Sequence, residues 1–416
     1  LSPDEKSEAE NELSELCSRG LRVVAASQKD IPLAHVSSLK DQIHELQFLG
    51  FVALKDPVRE GVKEAVEAAK IAGIKTVIVT GDHALTAKAV AQELGLPAGP
   101  DNVVEGRHLD ALENKELSQL LPQISVFARV EPTHKLRIIE AWQEQGAVVA
   151  MTGDGVNDAP ALKKADIGLA LGSGTDVAKE AADVVLLDDN FAVIPAAIRE
   201  GRVILDNIRK LITYMLSGTF TETILIGSTL VLGAPFLPVT ALQILWINLV
   251  EDTLPGIALA SEKAEKDVMR RKPPKPNTSL LTKQMKTIVF VISVFTDLLL
   301  VGMFYWLLHN TPYTQTHIQT IIFVGLGISS LLYVFSCKSL RKNIWEYNPF
   351  SNLWLVGSVV AGFLLLAAVI YTPLLSKMFE TEPLSLPDWT LLFLFGIINV
   401  LLIEFGKWIF ISRERV

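Results

Sequence analysis

The sequence AVVAMTGDGVNDAP, residues 147–160, decides the fold of the first half of this chain. Its first five residues are apolar and predict a buried strand, and the two glycines then allow the backbone to turn tightly. Ligands of open α/β sheets bind at the carboxyl ends of parallel strands. Asp154 and Asp158 directly follow the predicted strand, so we expect both carboxylates to face a common binding site.

Short β-branched runs and helical patterns alternate on both sides of this stretch. Alternation of this kind predicts an α/β, Rossmann-like domain with a parallel sheet and right-handed crossovers. The predicted strands are 20–26, 46–54, 75–79, 125–128, 147–151, 167–171 and 184–187, and the predicted helices are 58–72, 85–94 and 132–145.

The second half of the chain predicts an all-α membrane domain of six transmembrane helices. Its apolar stretches have about the length that crosses a bilayer core of about 30 Å. They are residues 211–233, 239–260, 288–308, 318–335, 353–375 and 389–411. Lys and Arg concentrate in 199–210, 263–286, 338–342 and 413–415, whereas the alternate loops hold only Lys377. By the positive-inside rule, residues 1–210 and the C-terminus of this multi-pass protein are cytoplasmic.

Composition agrees with a cytoplasmic domain joined to a membrane domain. The 416 residues carry a net charge of −8, and residues 1–190 are acidic whereas residues 191–416 are mildly basic. This distribution argues against a nucleic-acid partner and in favour of the lipid bilayer. Two cysteines, one in each half, exclude a disulfide framework.

Three sequence segments predict a site for phosphoryl transfer. Two carboxylates without a basic neighbour in the loop, Asp154 and Asp158, suit Mg²⁺, and Asn157 adds a neutral donor for phosphate. The predicted strand 75–79 ends at Thr80-Gly81-Asp82, where the threonine hydroxyl can donate to a phosphoryl oxygen. Lys135 begins a predicted helix and can neutralise phosphoryl charge. Together these are three of the four parts of a haloacid-dehalogenase-type site.

Carboxylates within the predicted spans indicate an ion site, because charge at bilayer depth is costly. The first span contains Thr219 and Glu222 on one face, and the second contains Asn248, Glu251 and Asp252 at i, i+3 and i+4. Pro255 follows and can free carbonyl oxygens to bind an ion.

Two further carboxylates lie within the later spans. For Asp297 in the third span we favour a packing hydrogen bond over a transport ligand. Glu404 in the sixth span is predicted to form a snorkelling pair with Lys407.

The segments TGD, ARVEPTHK and MTGDGVNDAPALKKADIGLALGSGTDVAKEAADVVLLDDNF, in this order, resemble the P-type cation-transporting ATPases. The resemblance implies use of ATP and Mg²⁺. It assigns the phosphorylation domain the residues Thr80, Gly81, Asp82, Arg129, Lys135, Asp154, Asn157 and Asp158, with Asp56 in a hinge-proximal D-P motif. The stretch LQILWINLVEDTLPGIALA is closest to the type II calcium pumps, which favours Ca²⁺ over Mn²⁺, Na⁺, K⁺ and H⁺ as the transported cation.

The departures from that family pattern predict the C-terminal part of a pump. The sequence contains no DKTGT nucleophile, no TGES loop and no KGAPE segment, and four upstream spans of the family are absent. We therefore expect a missing N-terminal part and no activity of this chain alone. The predicted domains are a nucleotide-binding remnant (1–54), a haloacid-dehalogenase-like phosphorylation domain (55–195) and the membrane domain (196–416).

Two questions remain open from the sequence: the role of Glu251, and whether the whole chain has a function other than that of a pump. Calcium pumps of the sarcoplasmic-reticulum type have Asn where Thr219 stands and Thr where Glu251 stands, and they have a glutamate in the span corresponding to 318–335. The extra Glu251 either replaces that ligand or signals another ion. The other readings of the whole chain are a membrane-tethered haloacid-dehalogenase-type phosphatase and a non-catalytic membrane protein derived from a pump.

Overall fold

The computed structural model describes residues 2–30, 46–54, 57–274 and 278–411. The described residues fall into two compact units. The first unit comprises Leu1–Ile198 with Met269–Thr278, and the second comprises Arg199–Val268 with Ser279–Val416. The predicted ranges 1–54 and 55–195 both lie within the first unit.

The strands of the first unit form three small sheets. They are β1 (Arg22–Gln28), β2 (Gln47–Leu54), β3 (Ile78–Val79), β4 (Val103–Glu105), β5 (Val126–Ala128), β6 (Ala150–Gly153), β7 (Ile167–Leu171) and β8 (Val184–Leu186). Two sheets are parallel, in the orders β3-β5-β4 and β6-β7-β8. This confirms the α/β class that the sequence predicts.

The first two strands depart from the predicted parallel sheet. β1 and β2 pair antiparallel in a sheet of their own. Val24, Leu49, Val52 and Leu54 remain exposed there. Strands of parallel sheets are normally covered on both faces, and this pair is not. The prediction that β1 and β2 belong to the parallel sheet is therefore wrong.

Helices precede or connect these strands along the first unit. They are α1 (Pro3–Ser18), α2 (Val62–Ile71), α3 (Ala84–Glu93), α4 (Gly106–Ala111), α5 (Asn114–Leu120), α6 (Pro132–Glu144), α7 (Ala159–Lys164) and α8 (Asp176–Ala181). Pro132 sits at the first turn of α6, where its missing N–H costs nothing. Ile138 of α6 packs with Phe127 of β5 and Leu117 of α5 in a buried cluster, which fixes the start of α6 beside the sheet.

The remaining helices include five that are longer than any of those above. They are α9 (Val193–Leu232), α10 (Ala241–Trp246), α11 (Thr253–Ala260), α12 (Lys283–Thr287), α13 (Ser293–Asn310), α14 (Gln315–Cys337), α15 (Leu353–Tyr371), α16 (Pro373–Phe379) and α17 (Leu386–Phe410). π-Helical turns join α10 to α11 (Ile247–Glu251) and α12 to α13 (Ile288–Ile292).

Five helices of the described chain are long and apolar enough to cross a membrane. They are Val193–Leu232, Lys283–Asn310, Gln315–Cys337, Leu353–Tyr371 and Leu386–Phe410. The predicted span 239–260 is an interrupted helix, because the π-helical turn separates α10 from α11. The all-α region therefore contains the elements that the sequence predicts, with the second span broken.

The core of the second unit forms around α14, most of whose apolar residues are buried. Small residues let the neighbouring helices approach it closely, as is common between membrane helices. A Cβ added to Gly396 of α17 would lie 2.7 Å from Ile328 of α14. An alanine at this position would therefore force Ile328 and Leu332 of α14 to shift.

The predicted pairing of Glu404 with Lys407 is confirmed, but the prediction that the pair snorkels to water is wrong. Glu404 and Lys407 are each 1% exposed, and their charged groups lie 2.9 Å apart. The Lys407 ammonium also donates to the carbonyl oxygen of Ser336, and the backbone N–H of Ile344 donates to Glu404. Partners on α14 and on the following loop satisfy both charges inside the protein, so neither side chain needs to reach water.

Candidate functional site

An ion pair joins the carboxyl ends of the two parallel sheets. Lys135 lies in the first turn of α6, after β5, and Asp158 lies in the loop after β6. The Lys135 ammonium is 2.5 Å from Oδ1 of Asp158, and both side chains are largely buried. The loop after β6 and the start of α6, which the sequence predicts to share one site, are therefore in direct contact.

The GDGVND loop closes on the second oxygen of the same carboxylate. Oδ2 of Asp158 accepts hydrogen bonds of 3.3 Å from the backbone N–H groups of Asp154 and Gly155. A Cβ on Gly153 would lie 2.6 Å from Cβ of Asp158, so only glycine fits there. Asp158 is thus held by one ammonium and two backbone donors, and it orients Lys135.

Asp154 and Asn157 are exposed at the same strand end. The backbone oxygen of Asp154 accepts a 2.8 Å hydrogen bond from the N–H of Thr175, which fixes the residue's position. Within the described residues, no hydrogen bond or ion pair to its carboxylate is found. An open carboxylate beside a fixed backbone suits Mg²⁺, which takes one or two carboxylates together with phosphate oxygens. Asp158 as the second magnesium ligand stays a prediction.

The TGD segment lies at the end of β3, next to β5. The N–H of Thr80 donates to Phe127, and the N–H of Arg129 donates to the carbonyl oxygen of Asp82. The Thr80 hydroxyl donates to the Asp82 carboxylate at 3.2 Å and accepts from its N–H at 3.1 Å. Thr80, Gly81 and Asp82 therefore lie at the sheet edge from which α6 and Lys135 also start. Asp56 lies outside the described residues.

The second unit contains a small polar cavity with a volume of about 40 Å³. Three carboxylates line it: Glu222 of α9, Asp252 after the π-helical turn and Asp297 of α13. The cavity's described lining includes no Lys, Arg or His. Acidic groups thus gather within the apolar helices without a basic partner.

Two of the predicted ion ligands, Glu222 and Asp252, line this cavity, and a third, Asn248, contacts Glu222 without lining it. The Asn248 side-chain amide donates to Glu222 at 2.8 Å. Asp252 is 4% exposed and accepts from the Tyr214 hydroxyl at 3.3 Å and from the Ser330 hydroxyl. The structure therefore brings Glu222, Asn248 and Asp252 together.

Glu251 and Thr219 are not among the residues that line the cavity. Oε1 of Glu251 accepts from the Trp246 indole at 3.2 Å, and its other oxygen lies against Gly362 of α15. Thr219 is exposed and donates to the backbone oxygen of Met215. For these two residues a role as ion ligand stays a prediction.

The π-helical turn explains the position of Glu251. The sequence prediction placed Asn248, Glu251 and Asp252 on one face by assuming 3.6 residues per turn. The N–H of Asp252 instead donates to the carbonyl oxygen of Ile247, five residues earlier, at 2.9 Å. This wider turn changes which side chains align. It directs Asp252 to the cavity and Glu251 to α15.

Sequence reasoning missed several hydroxyl groups of the cavity. Tyr214 and Ser330 hold Asp252, and Thr221 donates to Oδ1 of Asp297 at 2.5 Å. The only sequence signal for them is a hydroxyl residue within an apolar span. Many such hydroxyls bond to their own helix, as Thr223 does to Thr219, so the signal does not single out the cavity residues.

Family comparisons divide the chain as its two units do. Residues 236–409 match the family described as "Cation transporting ATPase, C-terminus". Residues 20–166 and 135–198 match families described as haloacid dehalogenase-like hydrolases.

Curated relatives are similar along nearly the whole chain. A calcium-transporting ATPase of Bacillus subtilis (strain 168) is 42% identical over 396 residues, which cover 94% of this chain and 44% of the relative. Calcium-transporting ATPase 3, endoplasmic reticulum-type, of Arabidopsis thaliana is 37% identical, covering 95% and 42%. Calcium-transporting ATPase type 2C member 1 of Homo sapiens is 37% identical, covering 100% and 44%. The chain thus spans less than half the length of these relatives.

Proposed function

We propose that this chain is the C-terminal part of an ATP-driven calcium pump of the P-type, because it is similar to calcium-transporting ATPases along nearly its whole length. The observation that carries the proposal is the pairing of two sites in one chain. One is the Lys135–Asp158 cluster with the open Asp154 carboxylate, and the other is the carboxylate cavity among apolar helices.

In the proposed phosphoryl transfer, each site residue of the first unit has a separate role. Asp154 would hold Mg²⁺, which when bound neutralises phosphate charge. Lys135 adds a positive charge for the transferring phosphoryl group, and Asp158 fixes the direction of its ammonium. The Thr80 hydroxyl and the Asn157 amide are placed at strand ends where they can donate to phosphoryl oxygens.

The nucleophile must come from elsewhere in the full-length protein, because the sequence contains no DKTGT. β3 and β6 are each the edge strand of a parallel sheet, and each ends in a catalytic loop. A strand that paired with both edges would bring its own carboxyl end between Thr80 and Asp154. We assign this position to the segment that carries the nucleophilic aspartate.

The cavity of the second unit is the proposed transport site. Carboxylate, amide and hydroxyl oxygens are the ligands of hard cations. The π-helical turn supports the assignment, since such turns in helices are frequent at functional sites. Ca²⁺ is favoured over Mn²⁺, Na⁺, K⁺ and H⁺, because the curated relatives are calcium-transporting. The orientation that we propose keeps residues 1–210 and the C-terminus in the cytoplasm.

Phosphorylation by radiolabelled ATP tests the proposal. The full-length protein should form an acid-stable, hydroxylamine-sensitive phosphoprotein in the presence of Mg²⁺ and Ca²⁺, whereas this chain alone should form none. A phosphoprotein on this chain alone would show that it holds its own nucleophile. A full-length protein with no cation-dependent phosphoprotein would contradict the pump and leave a phosphatase or a non-catalytic membrane protein.

A further inference from the structure

Asp297 of α13 has one satisfied and one unsatisfied oxygen. The side chain is 3% exposed and lines the cavity. Thr221 of α9 donates to Oδ1 at 2.5 Å. Oδ2 is buried and has no hydrogen-bond partner among the described residues. A purely structural hydrogen bond would need only one oxygen, and the second would then be buried at a cost of about 1–3 kcal/mol or more.

The groups around Asp297 are oxygen atoms. Ser217, Ser293 and Thr296 line the same cavity. Their hydroxyl hydrogens have other partners, since Ser293 donates to Ser217 at 3.3 Å and Thr296 donates to the Ser293 carbonyl at 2.7 Å. Their lone pairs therefore remain available, and none of these groups donates to Oδ2 of Asp297.

Helix geometry separates this region from the Glu222 group. Thr221 and Glu222 are consecutive on α9, so their side chains diverge by about 100°. Thr221 contacts Asp297 of α13, and Glu222 contacts Asn248. The cavity therefore has two groups of ligands, one against α13 and one against the π-helical turn.

The cavity lacks a basic group to balance its carboxylates. The second unit does place lysine beside buried glutamate at Lys407–Glu404 and at Lys338–Glu262. In the cavity, the described lining supplies none. Three carboxylates without a counter-charge are unfavourable in an apolar environment, and a bound cation removes that cost.

We propose that Asp297 is a cation ligand and that, with the hydroxyls of Thr221, Ser293 and Thr296, it forms a second cation subsite on the α13 side of the cavity. The proposal rests on the proposed function and assigns this subsite the same hard divalent cation. The oxygen set matches Ca²⁺, which takes 6–8 oxygen ligands in irregular geometry.

Three variants of the full-length protein separate a ligand from a packing group. Asp297→Asn keeps an acceptor for Thr221 but removes the charge. Thr221→Val removes the hydrogen bond but keeps the carboxylate. Thr223→Val is the matched control, because Thr223 is exposed and bonds only to its own helix. Equilibrium binding of radiolabelled Ca²⁺ is measured for each, and phosphorylation from inorganic phosphate without Ca²⁺ verifies folding.

Asp297→Asn should bind about half as much Ca²⁺ at saturation as the wild type, because one subsite is lost, while phosphorylation from inorganic phosphate persists. Thr221→Val should keep the bound amount with up to about tenfold weaker affinity, and Thr223→Val should match the wild type. Asp297→Glu, which keeps the charge, should restore more binding than Asp297→Asn.

Two results would overturn the proposal in distinguishable ways. If the wild type binds Ca²⁺ and folded Asp297→Asn binds the same amount with the same affinity, Asp297 is a packing group and the pump proposal stands. If Asp297→Asn does not fold, Thr221→Val decides the matter: weaker Ca²⁺ affinity with the bound amount kept supports the subsite, and wild-type affinity overturns it. If the wild type itself binds no Ca²⁺, both proposals fail.

Discussion

The acidic sites of the two units differ in whether a basic group balances their carboxylates. In the first unit, Asp158 has its own ammonium from Lys135 and two backbone donors. In the second unit, Glu222, Asp252 and Asp297 line a cavity whose described lining has no basic residue. A carboxylate with a counter-charge inside the protein is held in one position by its partners. We propose that a carboxylate without one binds the transported cation reversibly.

The Lys407–Glu404 pair shows that this difference is not imposed by the apolar surroundings. Its two charges are buried among apolar helices and lie 2.9 Å apart. The second unit can therefore supply a lysine for a buried glutamate. The contrast between paired and unpaired carboxylates within the same unit is the feature that the following experiments test.

The largest effect should come from breaking the buried pair. Lys407→Met leaves Glu404 buried without its ammonium, and we expect the free energy of unfolding to fall by about 3–5 kcal/mol. The double variant Lys407→Met/Glu404→Gln should recover most of this loss. Unfolding is followed by heat or denaturant in lipid nanodiscs, with exposed Lys377→Met as control. A loss below about 1 kcal/mol would favour a water-exposed pair instead.

The next effect concerns the open carboxylate of the first unit. Asp154→Asn in the full-length protein should lower the rate of phosphorylation by ATP about 100-fold, or about 2.7 kcal/mol, because the charge that holds Mg²⁺ is lost. Quench-flow with radiolabelled ATP measures this rate. The control Asp176→Asn makes the same substitution at a side chain that is 96% exposed.

Thermal stability distinguishes a substitution of Asp154 from one of Lys135, which forms the ion pair with Asp158. Lys135→Met should lower both the phosphorylation rate and the thermal stability, because Asp158 is left without its ammonium. Asp154→Asn should leave the thermal stability near that of the wild type. A near-normal rate in Asp154→Asn would contradict its assignment to Mg²⁺.

The smallest effect should be a change in cation dependence. Glu222→Gln and Asp252→Asn each remove one of several ligands, so we expect about a tenfold higher Ca²⁺ concentration, or about 1.4 kcal/mol, for half-maximal phosphorylation by ATP. Phosphorylation from inorganic phosphate without Ca²⁺ should persist. Glu251→Gln should shift the dependence less, since its carboxylate faces Trp246.

The Glu251 variant also tests the sequence-based assignment of that residue. A shift as large as those of Glu222→Gln and Asp252→Asn would support Glu251 as a ligand. Wild-type Ca²⁺ dependence in all three variants would show that these carboxylates are structural and that the transport site lies elsewhere.

The local parts of the first unit could be predicted from sequence because each is encoded by neighbouring residues. The apolar run before TGDGVND predicts a buried strand over 147–151, whereas β6 spans Ala150–Gly153 and is partly exposed; strand 167–171 is observed at the predicted bounds. The antiparallel pairing of β1 with β2 was not predictable in this way, since pairing depends on partners distant in the chain. The three-residue strand β4 is too short to give a periodic signal.

The amino-acid sequence alone predicts the class of this protein: strands that end in the loops proposed for phosphoryl transfer, apolar spans of membrane length, and carboxylates placed within those spans. Which carboxylates share a cavity depends on the packing of the helices and could not be predicted from the sequence. Thr221 reaches Asp297 across 76 residues of sequence, and Ser330 reaches Asp252 across 78. A single π-helical turn directs Asp252 to the cavity and Glu251 away from it. The physical reason is that periodicity gives a side chain's direction only while the helix stays regular, and its partners depend on packing between helices distant in sequence.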